Sequence, residues 1–505
     1  MSQRPQHITP APAALRPFSS LPGPRPWPIV GNGLSLSKDH IHQDIEAAAL
    51  RYGPLFKLRF GALAVLVVSD HELIHRILRA RPEEYQRPER TNLIALEMGL
   101  DLGLFSAEGD AWRAQRRMVM ASFAPGHVRA YLPSLVRVAL RLRKRWHNAA
   151  LAHDAFDLLE DLMRFTVDAI TGLAFGADVN TLETDGDVIQ DHLNEIFPAL
   201  YRRILAIAPY WRVLKLPRDH RLDRSVAVVK EAIEGFIAHA RQRLEGDAAR
   251  RLAPPNLLEA MIVAAEADKT GLQDADVTAN VMTMLLAGED TTANTLAWMI
   301  YLLRQHPALL ARAQDEVLRI IPNLEAVQIE QLDQLGFVDA CIQETMRLKP
   351  VAPFLAAQSL KDTVVGDVSV PAGTMIWTIL RSDSVSDRFF DNPGVFDPAR
   401  WLEEENAASA AHGSAKRIAM PFGAGPRVCP GRYLALIEMK LCMATLLSAF
   451  DIDEVRTPDG GPAREHMSFT MGPHHLSMRL RRREPRASML DRRSTDRPPA
   501  QAHSR

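Results

Sequence analysis

The residues best suited to chemistry lie in one short stretch. Residues 422–431 read FGAGPRVCPG, so Cys429 follows a glycine-rich turn. The next residues, 433–450, favour a helix and keep their apolar positions at helical spacing. Pro430 suits the first position of that helix, because its missing N–H is not needed there. The pattern predicts that Cys429 lies at a helix N-terminus, where the dipole and the free N–H groups favour an anionic sulfur.

Other residues of this stretch fit the same chemistry. Gly423 and Gly425 permit a tight backbone and the close approach of a flat ligand. Arg427 places a positive charge two residues from the sulfur. A lone cysteine is more often a buried structural residue. Phe, Gly, Arg, Cys and Gly at this fixed spacing, however, are expected by chance only once per ~10⁶ positions.

This stretch resembles the cysteine-ligand loop of the cytochrome P-450 family, whose members are haem-thiolate monooxygenases. The resemblance implies that Cys429 is the proximal ligand of the iron in haem b, and that its thiolate favours cleavage of the O–O bond. It also assigns cofactor contacts to other residues of the loop, namely Phe422, Gly423, Arg427 and Gly431.

A second unusual stretch lies in the middle of a long helix predicted over residues 276–305. Residues 287–292 read AGEDTT. A glycine in a helix interior costs on the order of 1 kcal/mol, and threonine hydroxyls there can bond back to carbonyls and bend the helix. One interpretation is a polar stripe that faces solvent. A local rule broken inside a strong apolar pattern is also typical of a functional site.

This second stretch is similar to the oxygen-activation motif of the same family. The resemblance implies that the helix lies against the haem at Ala287 and Gly288. It also implies that Asp290 and Thr291 are an acid–alcohol pair that delivers protons during oxygen activation. For Glu289 two positions stay open, in the pocket lining or in solvent. An intact acid–threonine pair favours the use of O₂ over a peroxide-only or rearranging reaction.

Trp112 and Arg116 lie four residues apart, on one face of a predicted helix. Taken alone, they indicate no more than a solvated basic face. In the family such a pair binds a haem propionate, so the resemblance assigns that role to them. Many members carry a further arginine near residues 357–358, and this chain does not. More of the task would then fall to Trp112, Arg116 and Arg427.

Glu344 and Arg347 lie three residues apart in a helix predicted over 335–348, and such a pair is common and weakly stabilising when exposed. Residues 396–401, FDPARW, resemble the family segment that supplies a third partner, here Arg400. That this buried triad specifies geometry is a hypothesis. Position 399 is often acidic in the family and is alanine here, so the local bonding stays open.

The densest internal cluster of positive charge falls on another predicted helix. It consists of Arg137, Arg141, Arg143, Lys144 and Arg145. Two interpretations stay open: a charged helix surface that serves solubility, or a docking patch for an acidic electron-transfer partner.

The composition is that of an ordinary globular protein, with 505 residues and a net charge of −1. Three cysteines, at positions 341, 429 and 442, are too few for a disulfide framework and favour a reducing compartment. No run approaches the ~18 apolar residues of a membrane span, and residues 1–20 lack the features of a secretory signal. We therefore expect a soluble, cytoplasmic, monomeric protein that binds no nucleic acid and has no integral membrane segment.

The predicted fold is mainly α with small β-sheets, and the resemblance specifies one large helix-rich domain around haem. We expect a disordered segment over residues 1–20, the catalytic domain over 21–484, and a disordered basic tail over 485–505. Strands are predicted at 55–60 and 64–69, which are expected to form a hairpin, and at 363–370 and 374–380. A last hairpin with a pocket-facing tip is predicted at 466–470.

The first functional hypothesis is a monooxygenase that hydroxylates or epoxidises an apolar fatty acid, terpenoid, steroid or polyketide. Electrons would come from NAD(P)H through a ferredoxin or flavodoxin and its reductase, as in soluble bacterial-type members, since no flavin or iron–sulfur domain fits in the rest of the chain. The alternatives are a peroxide-driven or rearranging haem enzyme, and a haem sensor without turnover. The expected pocket residues are Leu286, Glu289, Phe354, Phe469 and the ranges 92–104 and 200–211.

Overall fold

The computed structural model describes residues 15–123, 125–184, 188–206, 208–267, 271–402 and 415–483. Its α-helices are α1 (Ile41–Tyr52), α2 (His71–Arg79), α3 (Glu89–Glu97), α4 (Gly103–Ser106), α5 (Gly109–Ser122), α6 (Pro125–Ala152), α7 (Leu158–Ile170), α8 (Val188–Ile204), α9 (Pro217–Leu244), α10 (Ala248–Leu252), α11 (Leu257–Ala267), α12 (Asp274–Gln305), α13 (Pro307–Ile320), α14 (Ile329–Asp333), α15 (Gly336–Leu348), α16 (Arg381–Ser384), α17 (Ala415–Ala419) and α18 (Arg432–Ala449). The expected helix-rich class is confirmed.

Short strands complete the fold. They are β1 (Arg16–Pro17), β2 (Leu55–Phe60), β3 (Leu63–Val68), β4 (Tyr85–Gln86), β5 (Phe156–Asp157), β6 (Phe354–Ser359), β7 (Thr363–Val365), β8 (Val368–Val370), β9 (Met375–Ile379), β10 (Phe450–Arg456), β11 (Glu465–Met467), β12 (Met471–Pro473) and β13 (Ser477–Arg482). The largest sheet has the order β2-β3-β9-β6-β4, and the smaller sheets are β1-β8-β7, β10-β13-β5 and β11-β12.

The central element is α12, a helix of 32 residues. The Asp276 carboxylate accepts the backbone N–H of Gln273 over 2.8 Å, which satisfies one of the free donors at the helix start. Trp298, Met299 and Ile300 follow one another on different faces, and all are fully buried. A helix that is apolar all round belongs in the core of a large domain, and α12 packs there against α7, α11, α13 and α15.

One strand prediction and one prediction of disorder need correction. Residues 363–370 form the hairpin β7–β8 rather than one strand, because the chain turns at Gly366 with a φ of +63°. Residues expected to belong to a disordered N-terminal segment are part of the fold: β1 pairs parallel with β8, and Arg16 pairs with Asp367 over 2.6 Å. The predicted hairpin of β2 and β3 is confirmed. The predicted basic tail, 485–505, lies outside the described residues.

Candidate active site

The loop that carries Cys429 is shaped by its glycines and by one backbone bond. Gly425 has a φ of +72°, and a Cβ there would lie 2.4 Å from the carbonyl oxygen of Leu78. No other residue fits this close approach to the end of α2. The Cys429 N–H donates to the carbonyl of Phe422 over 3.0 Å, which closes the loop.

The Cys429 thiol lies just before α18 rather than in its first turn. That helix begins at Arg432, three residues later, with Gly431 as its N-cap. The thiol is accessible to solvent although protein surrounds it, so it faces an internal cleft. Burial raises the pKa of Cys429, whereas the Gly431 N–H and the charges of Arg116 and Arg432 lower it.

Arginine side chains converge beside this loop. The Arg427 guanidinium lies 4.9 Å from the centroid of the Trp112 ring, donates to the Ala107 carbonyl over 2.7 Å and pairs with Glu108. Arg87 donates its Nε–H to the Phe105 carbonyl over 2.6 Å. Trp112, Arg116 and Arg427 are thus neighbours, as the resemblance implied.

The arginine cluster has more buried donors than acceptors. Among the described residues, Nε and Nη2 of Arg81 and Nε of Arg427 are buried without a hydrogen-bond partner. Burial lowers the pKa of Arg87 well below its usual range and that of Arg427 to about 10, with Glu108 opposing both shifts. Buried, unpaired guanidinium donors are costly. This surplus of donors fits an anionic ligand such as the propionates of haem.

Arg81 and Arg87 are the site residues that the sequence analysis missed. Neither belongs to a motif of fixed spacing, and the chain brings them to Arg427 only by tertiary packing. The available signal was the arginine-rich stretch 81–90, RPEEYQRPER. These two side chains add positive charge beside Arg427.

One face of α12 carries Ala287 and Thr291. The Thr291 hydroxyl donates to the Ala287 carbonyl over 2.8 Å. Ala287 is exposed although Leu285 and Leu286 before it are buried, so this turn borders an open space inside the molecule. Leu286, which the sequence analysis placed in the pocket, is 2% exposed and packs in the core.

Gly288 and Glu289 lie on a different face of α12 from Ala287. A Cβ on Gly288 would lie 3.2 Å from Ile170 of α7, so the glycine permits close packing of two helices, and its haem contact stays a prediction. The Glu289 carbonyl accepts the Thr166 hydroxyl over 3.0 Å, and the side chain is 4% exposed with Oε1 unpartnered among the described residues. Burial raises the pKa of Glu289 well above its usual range, and Asp290 adds to the shift. The sequence analysis left two positions open for the Glu289 side chain, and its burial excludes the one that faces solvent.

The Asp290 carboxyl is held by two side chains. Asn294 Nδ2 donates to Oδ1 over 2.6 Å, and the Thr470 hydroxyl donates to Oδ2. Burial raises the pKa of Asp290, whereas these two bonds lower it. Neither partner was identified from the sequence.

Aromatic side chains form a wall next to the last hairpin. Phe469 stacks on Phe197 of α8, with 4.6 Å between ring centroids and 8° between planes, and lies 6.4 Å from Phe105. Phe354 lies farther along, 5.6 Å from Trp377. Phe469 therefore lies among aromatic residues of α4 and α8.

Trp211 anchors the loop after α8 to α3. Its indole N–H donates to Glu97 of α3 over 2.8 Å, and the ring is 6% exposed. The range 200–211 therefore contacts α3 directly, and Leu200 is fully buried.

The predicted structural triad is present. Arg347 donates to both carboxylate oxygens of Glu344 over 2.8 and 2.7 Å, and both side chains are fully buried. Arg400 Nε lies 3.3 Å from Glu344 Oε1. The Trp401 indole N–H, at 2.9 Å, provides the local bonding that the sequence left open.

The basic cluster on α6 is largely paired with acids. Arg143 bonds Glu325 over 2.8 Å, Lys144 bonds Glu183 over 2.6 Å and Arg145 bonds Asp161 over 2.7 Å. Arg141 pairs with Asp178. These contacts favour the charged helix surface over the docking patch.

The fold and the site define a class of protein. A helix-rich domain that presents an accessible cysteine to an internal cleft, beside an arginine cluster with more buried donors than acceptors, is built as a haem-thiolate protein. A threonine with an acid beside it, on the central helix, is consistent with that class. None of the helices in the described part of the chain is long and apolar enough to cross a membrane.

Comparisons with known proteins agree. The family model described as Cytochrome P-450 matches residues 21–479. A relative from Glycine max, cytochrome P-450 97B2, chloroplastic, is 28% identical over 81% of this chain and 78% of its own. The crystal structure of the cytochrome P-450DA heme domain superposes with a TM-score of 0.80 at 23% identity, covering 94% of this chain and 99% of that chain. This chain therefore belongs to the cytochrome P-450 family, which are haem-containing monooxygenases.

A further relative differs in length. A self-sufficient cytochrome P-450 monooxygenase of Aspergillus niger is 28% identical over 95% of this chain but only 45% of its own. The chain thus spans about half of that relative.

Proposed function

We propose that this protein inserts one atom of O₂ into an apolar small molecule. One observation carries the proposal: the accessible Cys429 follows Arg427 by two residues, and the cluster of Arg427 and Arg81 keeps buried guanidinium donors that have no acceptor among the described residues. Cys429 would ligate the haem iron, and Arg81, Arg87, Trp112, Arg116 and Arg427 would bind the propionates. When bound, haem with a thiolate ligand supplies the activation of O₂.

The side chains of α12 would handle protons. The reaction takes C–H, O₂, two electrons and two protons to C–OH and water, so two protons must reach the site. Thr291 presents its hydroxyl on the open face of the helix. Burial raises the pKa of the neighbouring Asp290, so its carboxyl is more easily protonated. A hydroxyl and a carboxyl arranged in series with water can pass protons by general-acid chemistry.

The aromatic wall supports an apolar substrate. Phe105 and Phe197 both lie next to Phe469 near α12, and aromatic faces bind hydrocarbon chains and rings. A fatty acid, terpenoid, steroid or polyketide fits this chemistry. We propose that electrons arrive from NAD(P)H through a ferredoxin or flavodoxin and its reductase, although the Aspergillus niger relative is self-sufficient by name. A cytoplasmic location and a monomeric state stay predictions, and the soybean relative is chloroplastic by name.

Spectroscopy tests the cofactor. The purified protein supplied with haem should show, after reduction and addition of carbon monoxide, the red-shifted absorption of thiolate ligation. Cys429→Ala should lose it, whereas Cys442→Ala, a buried cysteine in α18, should keep it. Wild-type protein without this absorption would refute the assignment.

Turnover tests the reaction. Dodecanoic acid and limonene should shift the spin-state spectrum, and a bound probe should be converted only with NAD(P)H, donor proteins and O₂ together. Thr291→Ala should release peroxide in place of product. Thr295→Ala is the matched control, because its hydroxyl bonds the carbonyl four residues earlier in the same way and is buried. Conversion driven by hydrogen peroxide alone would favour the peroxide-driven alternative, and binding without turnover the sensor.

A further inference from the structure

The hairpin β11–β12 approaches α12 with a fixed tip. Its strands pair up to Met467 and Met471, which leaves residues 468–470 as the tip. The Met471 N–H donates to the Val351 carbonyl over 2.8 Å, and the Met467 N–H donates to the Asp39 carbonyl over 2.9 Å. Both strands are thus anchored next to the tip, so the tip side chains have defined neighbours.

The base of the hairpin is anchored by a buried acid. Glu465 is 5% exposed and accepts bonds from side chains of three other segments. The donors are His42 Nε2 at 2.8 Å, Gln43 Nε2 at 2.7 Å, Lys349 Nζ at 2.6 Å and Arg381 Nη1 at 2.6 Å. Because these contacts do not involve the tip, a substitution at the tip leaves the hairpin in place.

The tip residue Thr470 reaches the acid of α12. Its hydroxyl donates to Asp290 Oδ2, and Thr470 is only 6% exposed. The other carboxyl oxygen accepts from Asn294, which is 3% exposed and also donates to the Asp290 carbonyl over 2.9 Å. Thr470 is thus the contact to this carboxyl that comes from outside α12, from 180 positions along the chain.

Steric fit keeps the hairpin in this position. A Cβ on Gly472 would lie 1.9 Å from Asn294 Oδ1 and 2.7 Å from its Cγ. The hairpin can therefore lie against Asn294 only because position 472 lacks a side chain. A glycine required by close backbone approach indicates that the contact between hairpin and helix is specific.

The residue before Thr470 belongs to the aromatic wall. Phe469 has a φ of +99°, a conformation that is strained for a residue with a large side chain. Its ring stacks on Phe197 of α8. Two consecutive residues of one short tip therefore contact the wall and the acid. A displacement of the backbone at Phe469 would also displace the Thr470 hydroxyl, because the two residues are adjacent.

We propose that Thr470 is a positioning residue for Asp290, and that the tip formed by residues 468–470 transmits the occupancy of the aromatic wall to this carboxyl. The inference rests on the function proposed above. It also gives the strained conformation of Phe469 a function. A substrate that packs against the aromatic wall would set the orientation of Asp290, the acid needed for proton delivery. An empty pocket would then leave the carboxyl in a different arrangement.

The first experiment compares Thr470→Val, which removes the hydroxyl at nearly constant shape, with Thr470→Ser, which keeps it. Thr445→Val is the matched control, a buried threonine whose hydroxyl bonds the Leu441 carbonyl in α18. Product formed per NAD(P)H consumed should fall about tenfold in Thr470→Val, as for loss of a hydrogen bond to a charged group. Thr470→Ser and Thr445→Val should retain the wild-type ratio.

A second readout does not need turnover. Infrared difference spectra of the haem-loaded protein should show a carboxyl vibration that disappears in Asp290→Asn. This band should shift in Thr470→Val and stay in place in Thr470→Ser and Thr445→Val. An unshifted band in Thr470→Val would overturn the positioning role.

The transmission is tested at Phe197. Addition of dodecanoic acid, or of limonene if the acid leaves the spin state unchanged, should move the Asp290 band in wild-type protein. Phe197→Ala should abolish that movement, whereas Phe236→Ala, which removes the stacked pair of Phe175 and Phe236, should not. A response to the probe that is identical in Phe197→Ala and wild type would overturn the transmission.

The outcomes separate this inference from the proposed function. If Thr470→Val keeps normal coupling while Thr291→Ala loses it, the function stands and the inference fails. If wild-type protein converts neither probe, the proposed function fails, and the infrared comparison still decides whether Thr470 orients Asp290.

Discussion

Substitution of Glu465 by glutamine should destabilise the protein by about 3–5 kcal/mol, the cost of breaking a buried ion pair by removing one partner. Glu465 is 5% exposed and its oxygens are shared by His42, Lys349 and Arg381 as well as by an amide. Arg381 retains a second acid, Glu46 at 2.6 Å, so the loss should lie at the lower end of this range.

The pH dependence of this loss has a definite sign. Burial alone raises the pKa of Glu465, but the bonds from His42 and Arg381 and the charge of Lys349 lower it far below the ordinary value. A depressed pKa contributes stability that is complete above the unfolded pKa of about 4.3 and is lost as the pH falls towards the folded pKa. The difference between wild type and Glu465→Gln should be constant from neutral pH to about pH 5.5 and should narrow below about pH 4.3.

Equilibrium unfolding in guanidinium chloride, followed by circular dichroism, measures the difference from the midpoints and a common slope. Glu454→Gln is the control, because its partners Arg456 and Arg479 are exposed, at 3.3 and 3.7 Å, and such pairs contribute about 0–1 kcal/mol. A loss in Glu465→Gln no larger than in the control, or a difference that widens as the pH falls from 5 to 3, would refute the reasoning.

Three further predictions follow from the site. Arg87→Leu should release haem to excess apomyoglobin about tenfold faster than wild type, as for the loss of one charge-assisted contact. The control is Arg113→Leu, at an exposed arginine, which should release haem at the wild-type rate. Equal rates for Arg87→Leu and wild type would contradict the role of Arg87. Glu344→Gln leaves Arg347 buried without its acid and should cost about 3–5 kcal/mol in denaturant midpoints, and a loss below about 1 kcal/mol would exclude a structural role. Arg143→Gln should change the rate of reduction by ferredoxin by less than about twofold, because its charge is already paired with an acid; a strong, salt-dependent loss would restore the docking patch.

Local motifs made much of this protein readable from its sequence. The loop around Cys429, the acid–threonine pair on α12 and the pair of Glu344 and Arg347 each lie within one turn or one loop, so residue spacing alone records them. The hairpin of β2 and β3 was legible for the same reason.

Predictions failed where a side chain's direction or its distant partner mattered. The motif at Gly288 could not show that a Cβ there would face Ile170 of α7. The helix after Cys429 was expected to begin at Pro430 and begins two residues later, at Arg432. The cations of α6 were counted without the acids that pair with them, because those acids lie elsewhere in the chain.

The sequence by itself determined the chemistry that this protein carries: a cysteine in a glycine-rich loop, and an acid and an alcohol in the middle of a buried helix. Tertiary structure alone decided which charges surround the cysteine and which hydroxyl holds the acid. Arg81 lies near Arg427 although the two are far apart in the sequence, and Thr470 bonds Asp290 from 180 positions away. The physical reason is that hydrogen bonds and charge contacts depend on distances in space, and spacing along a chain fixes those distances only within a single turn, helix or hairpin.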